Sequence, residues 1–590
     1  MDDVTIISHS DLTRPPVECE IATLARRDAL APGLASRCRE LRGEEIDTLT
    51  AAGNRCADWS RVRVCDPFDA SLVGRCTFVG DVRIGSLEAA GLVHDGVSVE
   101  TGLVDSTLAF CDLGDQCSLL RVSVANASLG SRLILRDLTQ LDTALPATFG
   151  SGEAAAISVI NEAGGRAVVP FAGMLPADAC LQATCRHDEP LQQKLRTLAA
   201  EADAGLPPVS RVDDGCVVLG AGRLRNVRLG EGCVVRGAAA VQDVTARTAP
   251  DARVMLGERV TLESAVLHPG VRVQDGCTAR RVVLGESVTL KLGARVVDSI
   301  VGDNSTISCC EVLCSLLLGS HEQHHNNSFL IAVKIDGQSN VAAGATIGSN
   351  HNSRAADGEI HAGRGFWPGL CTSLKHNSRF ASYTLIAKGS YPAELNVPLP
   401  FSLVSNDPAN GHLVIMPAFW WLHNMYALAR NREKLRRRDR RVVAAQAVEF
   451  DPLAPDTAEE MLHAMDLLAE WAGKAYLGRS GKPCSDVDRQ EILKVGRQMF
   501  LDIDTDVSAA EVIGEQVENS RRPVMIVKPH RGWHAYRQML HYYAAGELLR
   551  HVEANPERPM QEMFASLEGP RVSRWTNLGG QLLPAEQVDA

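Results

Sequence analysis

Aromatic side chains are scarce: Phe, Trp and Tyr together make up 5% of 590 residues. With so few rings, and Gly, Val, Leu and Ala in plenty, a narrow repeat core fits better than bulky stacked layers. Long apolar runs are missing too. No stretch of about 18 apolar residues occurs, so no transmembrane helix is expected and no membrane partner. The N-terminus carries neither a basic segment nor an apolar one behind it, so no signal peptide is visible and the compartment reads as cytoplasmic. Cations do not predominate: the formal net charge is −12. That argues against a generic nucleic-acid surface. Paired CxxC motifs are absent, and the 17 cysteines are odd in number. Their densest group, Cys309-Cys310 and Cys314, reads as small buried thiols rather than a metal site.

What is present is a repeat. An aliphatic residue followed by Gly recurs as Val73-Gly74, Val79-Gly80 and Leu113-Gly114, then as Leu219-Gly220, Leu229-Gly230, Leu256-Gly257, Leu284-Gly285 and Val301-Gly302. Apolar residues step by six through Leu284, Leu290 and Val296, through Val301, Ile307 and Leu313, and through Phe329, Ile335, Val341 and Ile347. A strand alternates with period 2 and a helix with period 3.6. Period six fits neither. It fits a coil of three short strands, each sending one apolar side chain inward, with Gly serving the turns.

The chain therefore divides into five parts. Residues 1–61 form an N-terminal cap, with a helix expected from Ser36 to Asn54. Residues 62–141 are a first repeat block. Residues 142–209 break the rhythm with a turn at Val159–Arg166 and a helix near Glu189–Ala202, and read as an insertion projecting from the array. Residues 210–398 are a second block. Residues 399–590 are helical, with helices expected within Ile415–Arg441, Thr457–Tyr476, Asp486–Leu501 and Gly532–Glu553.

The repeat resembles the left-handed parallel β-helix of the hexapeptide-repeat superfamily, the trimeric acyltransferase-like proteins. The expected class is mainly β, a left-handed parallel β-helix with an insertion, a cap and a helical C-terminal region. The 316–420 region also resembles an uncharacterised family of large hexapeptide proteins. The superfamily resemblance implies a homotrimer. It also implies a transferase acting on a sugar or nucleotide-sugar hydroxyl or amine, with an acyl-CoA-type donor and a histidine as general base in a groove. No GxxxxGK[ST] loop is present, and the repeats begin too early to leave room for a nucleotidyltransferase domain.

The candidate site is a thrice-repeated polar motif. His-Asn-Ser-Arg occurs at His351–Arg354 and His376–Arg379, and a looser copy at His325–Ser328. The near-equal spacing predicts His325, His351 and His376 on one edge of the β-helix. Imidazole titrates near pH 6.5, so each is a candidate general base. Asn326, Asn352 and Asn377 are candidate oxyanion donors. Arg354, Arg364, Lys375 and Arg379 are candidate holders of phosphate or carboxylate, with Trp367 in the adjoining loop. Other readings stay open. The motif can be a structural ladder in a non-catalytic ligand-binding or scaffold protein. The HEQHH cluster from His321 to His325 can serve a metal-dependent hydratase-like enzyme, which needs three ligands and an open position.

Overall fold

The structure is a computed structural model. It describes residues 32–202, 209–348, 358–480, 487–501 and 511–589. It is mainly β, a parallel β-solenoid whose coils present three faces, with helices gathered toward the C-terminus.

In the second block, strands such as Thr289–Lys291 and Thr306–Ser308 make the first face. Longer strands such as Arg295–Val301 bend and supply the second and third faces with their two halves. The bend is a single left-handed residue: Asn226, Asp243, Ser264, Arg281, Asp298, Cys314 and Ala332 occupy it in successive coils. Asn, Asp and Ser tolerate that conformation through local hydrogen bonds. The inward residues Leu290, Val296, Val301 and Ile307 are all fully buried. Their spacing shows the bend shortening one step in three from six residues to five. The expected Phe329 position shifts to Leu330 for this reason, whereas the expected Leu313 position shifts to Val312 because the corner after Ile307 is one residue shorter than in the coil before, Arg295 pairing with Glu311 but Thr278 with Arg295. The even six-residue step holds further on, through Ala362, Pro368, Leu374, Phe380 and Ile386.

The aliphatic-Gly signature has a steric cause at Gly302. A Cβ there would lie 2.6 Å from the Gly319 nitrogen and 2.8 Å from the Leu318 carbonyl carbon. Adjacent coils approach too closely at that corner for any side chain.

Both ends of the stack are covered. Leu49 of the helix Gly43–Ala51 closes the first coils. At the other end, Met461 and Leu468 of the helix Pro455–Arg479 pack with Leu399, Phe401, Trp420 and Tyr536. These belong to the same continuous core as the coils.

The insertion does not project. Its chain climbs the corner between the second and third faces, where Ala144 N donates to Asn226 (2.9 Å), Thr148 N to Asp243 (2.8 Å) and Ile160 N to the Cys314 carbonyl (2.8 Å). It then lies flat on the third face. Ile157, Val159, Val168, Phe171, Met174 and Ala179 make a second core with the outward residues Val266, Val283, Ile300 and Leu316. Those four are register partners in successive coils, so they form one apolar column that must be covered.

A second strap comes from the C-terminal region. After the helix Met425–Arg437, the chain runs along the corner between the third and first faces. There Asn304 binds Asp439 (2.6 Å) and Glu286 accepts from Val443 N (2.7 Å) and Ala444 N (2.9 Å).

Candidate functional site

The outward column of the third face changes character where the insertion ends. Register pairing places Leu316, Lys334, His361, Arg379 and Asn396 side by side in consecutive coils. Strand spacing puts such neighbours about 4.8 Å apart. An apolar column thus becomes Lys, His, Arg and Asn. These four line an open groove of about 340 Å³, walled by Phe380, Pro398, Glu460 and His463.

Within it, His361 is held by an ion-paired carboxylate. Its Nε2 lies 2.9 Å from Glu359 Oε2. Glu359 in turn receives two bonds from the Arg166 guanidinium, at 2.6 and 2.8 Å, and one from Asn161 at 3.3 Å. Arg166 and Asn161 belong to the insertion, so the insertion sets the orientation of the histidine. Arg166 also donates to the Ala183 carbonyl (2.7 Å), which fixes its own position. Burial works against the Glu359 charge, but the bonds from Arg166, His361 and Asn161 outweigh it and hold the carboxyl down at about 2. His361 is lowered from its ordinary value by burial, which outweighs the raising effect of its bond to Glu359, and the charges of Lys334 and Arg379 lower it further. At neutral pH its Nε2–H is donated to Glu359, and Nδ1 is left as a proton acceptor.

The opposite wall carries a neutral acid. Burial pushes the Glu460 carboxyl up to about 8, and the neighbouring Asp456 adds to the rise. It accepts from Ser382 N (3.0 Å) and Ser382 Oγ (3.2 Å). Lys334 pairs with Asp336. Arg379 is exposed and has no carboxylate within ion-pair distance among the described residues.

The expected residues fall in several places. His351, Asn352 and Arg354 lie outside the described residues. His325 and His376 do not share an edge. His325 is exposed at the corner between the first and second faces, its ring 4.6 Å from that of His324. His376 is buried at the corner between the second and third faces, with Nδ1 2.8 Å from the Gly358 carbonyl. Equal spacing in sequence misled here because the two motifs follow strands of different faces. Asn326 shares the His325 turn, its side-chain oxygen accepting from Asn327 N (3.0 Å). Asn377 is an exposed left-handed corner residue. Lys375 is paired with Glu394. Trp367 packs against Trp420 with the rings tilted and 5.6 Å apart, under the C-terminal helices. Arg364 is buried, with two bonds of 2.7 Å to Asp456 and one of 2.9 Å to the Asp451 carbonyl. It fastens the helix Pro455–Arg479 to the coil. Of the expected residues that are described, only Arg379 lines the groove.

The HEQHH cluster is partly interior. His321 is fully buried, with Nδ1 2.7 Å from Ser339 Oγ and Nε2 3.2 Å from Gln323 Oε1. Gln323 stands at an inward position between Ile307 and Val341, and passes the chain on to Ser328 (3.0 Å). Among the described residues no three His, Cys, Asp or Glu side chains converge as a metal site requires.

Glu359 and His361 were missed, although alternate residues on a strand share a face. The sequence signal for them is Glu-x-His in GEIHAGR, matched by Lys-x-Asp at Lys334 and Asp336. The partner Arg166 is distant in sequence and had no local signal.

A family model described as "Domain of unknown function (DUF4954)" matches residues 38–472. That span includes every groove residue named above. An "Uncharacterized protein" of Treponema pallidum (strain Nichols) is 40% identical over 565 residues, 93% of this chain and 76% of that protein.

Proposed function

The chain belongs to the DUF4954 family, and on that premise we propose that the Lys334–His361–Arg379 groove is an enzyme active site for group transfer to an anionic small molecule. One observation carries this: an imidazole fixed by an ion-paired carboxylate opens onto a groove rich in cations. Arg379 and Lys334 hold a phosphate or carboxylate of the acceptor. His361 Nδ1 takes the proton from its hydroxyl or amine, and Glu460 returns a proton to the leaving group. The donor is an acyl-CoA-type thioester and the acceptor a sugar or nucleotide sugar, in keeping with a left-handed hexapeptide β-helix. The base is then His361, and His325 and His376 are not used. The assembly in this reading is a homotrimer, but each groove is built from one chain.

The test follows thiol release from acetyl-CoA with a panel of phosphosugars and nucleotide sugars. His361→Asn should lower the rate about 10²–10⁴-fold, the usual cost of losing a general base. His325→Ala should leave it unchanged. Absence of thiol release with every acceptor, or a full rate in His361→Asn, would reject the assignment.

A further inference from the structure

Among the described residues the insertion leaves the third face open at both ends, and the second opening is also cationic. Toward the N-terminus the outward column reads Arg211, Arg228, Thr245 in register. Beside it, one coil is longer than its neighbours: Val234 pairs with Met255, whereas Met255 pairs with Arg272. The four extra residues form a tight turn closed by reciprocal bonds between Ala249 and Ala252, at 3.0 and 3.3 Å. The turn carries Arg247 at its start and Arg253 at its end. The column and the turn enclose a cleft of about 810 Å³.

We propose that this cleft is a binding site for a phosphorylated small molecule, separate from the His361 groove and independent of its assignment. Five arginines line it: Arg132, Arg211, Arg228, Arg247 and Arg253. Two of its four carboxylates are engaged, Asp214 with Arg132 (3.5 Å) and Ser131 N (2.8 Å), and Asp213 with Arg211. Glu231 and Asp251 are the other two carboxylates of the lining, and the charge of Arg253 also reaches Asp95. Among the described residues Arg247 and Arg253 have no ion pair. The Arg228 guanidinium lies 4.2 Å above the buried Phe149 ring, which fixes its plane. Planar guanidinium groups in fixed positions suit the paired oxygens of a phosphate. Gly215, Gly230 and Gly232 also line it, their N–H groups already bonded to the Ser131, Ala246 and Asp214 carbonyls, so the arginines are what is left to hold a ligand. The described lining contains no aromatic ring, so a nucleobase would find only guanidinium planes to stack on. A sugar phosphate or a pyrophosphate therefore fits better than a nucleotide, and the volume suits one.

Calorimetric titration of the full chain with inorganic pyrophosphate and with a hexose phosphate tests this, with acetate at equal ionic strength as the control anion. Saturable binding is expected for the phosphates and not for acetate. The Arg247→Ser/Arg253→Ser double variant should bind at least tenfold more weakly. Both residues are exposed, so its melting curve should match the wild type. Arg379→Ser, which disables the anion contact proposed for the His361 groove, should keep the binding that the double variant loses. No phosphate binding by the wild type, equal binding of acetate, or equal binding in Arg379→Ser with and without the double substitution would overturn the proposal. Binding lost in Arg379→Ser instead would place the anion in the other groove and overturn it equally.

Discussion

At the scale of single residues, two arginines that look alike in sequence have opposite roles. Arg364 is buried and ion-paired, whereas Arg379 is exposed in the groove. Arg364→Ala should cost about 3–5 kcal/mol, because Asp456 is left without its partner. Arg379→Ala should change stability by no more than about 0.5 kcal/mol. Chemical denaturation of the two variants measures both. Titration separates two further groups. His321 is buried and lowered to about 4 from an ordinary 6.5. As pH falls, the unfolded chain takes up this proton first, so stability is full above about 6.5 and is lost toward about 4. His321→Gln should flatten that part of a melting-temperature profile. Glu460 runs the other way. Its folded value of about 8 lies above the ordinary 4.5. The folded state keeps a proton that the unfolded chain has released, so stability falls as pH rises from about 4.5 to about 8. Glu460→Gln should remove that slope, and an unchanged slope would assign it elsewhere. Neither histidine nor glutamate could be ranked from sequence, since a buried and an exposed imidazole read alike until the coil register is known.

At the scale of elements, the insertion is a cover rather than an appendage. Replacing 143–209 by a short Gly/Ser linker would expose Val266, Val283, Ile300 and Leu316 as one apolar stripe. Aggregation of that deletion is expected, and a monodisperse folded product would refute the covering role. Gly302→Ala should also destabilise the stack, because the new Cβ meets backbone that cannot move aside. A lowered melting temperature checks this. The aliphatic-Gly rhythm made the solenoid and its breaks legible, because each coil repeats the same inward positions. The outward column was not legible. Val283, Ile300 and Leu316 give way to Lys334, His361 and Arg379 only when strands from successive coils are aligned.

At the scale of the whole molecule, the three faces differ in what covers them. The third lies under the insertion, and Trp367 of the first packs under Trp420. The second carries ion pairs in its two outward rows, Glu263 with Arg280 at 3.1 Å in one and Arg295 with Glu311 at 2.7 Å in the other. A homotrimer built as proposed would scatter light at about three times the 63.5 kDa chain mass. A monomer would remove the assembly but leave the groove intact, because all its residues come from one chain.

The insertion also sets a problem of timing. Phe171 and Met174 leave the ribosome before the coils bearing Val266 to Leu316 exist, and before Leu578, which joins the same core. During synthesis its apolar side is therefore a debt held open for well over a hundred residues. Nascent chains halted between the insertion and Leu316 should be the most dependent on chaperones, and those halted beyond it less so.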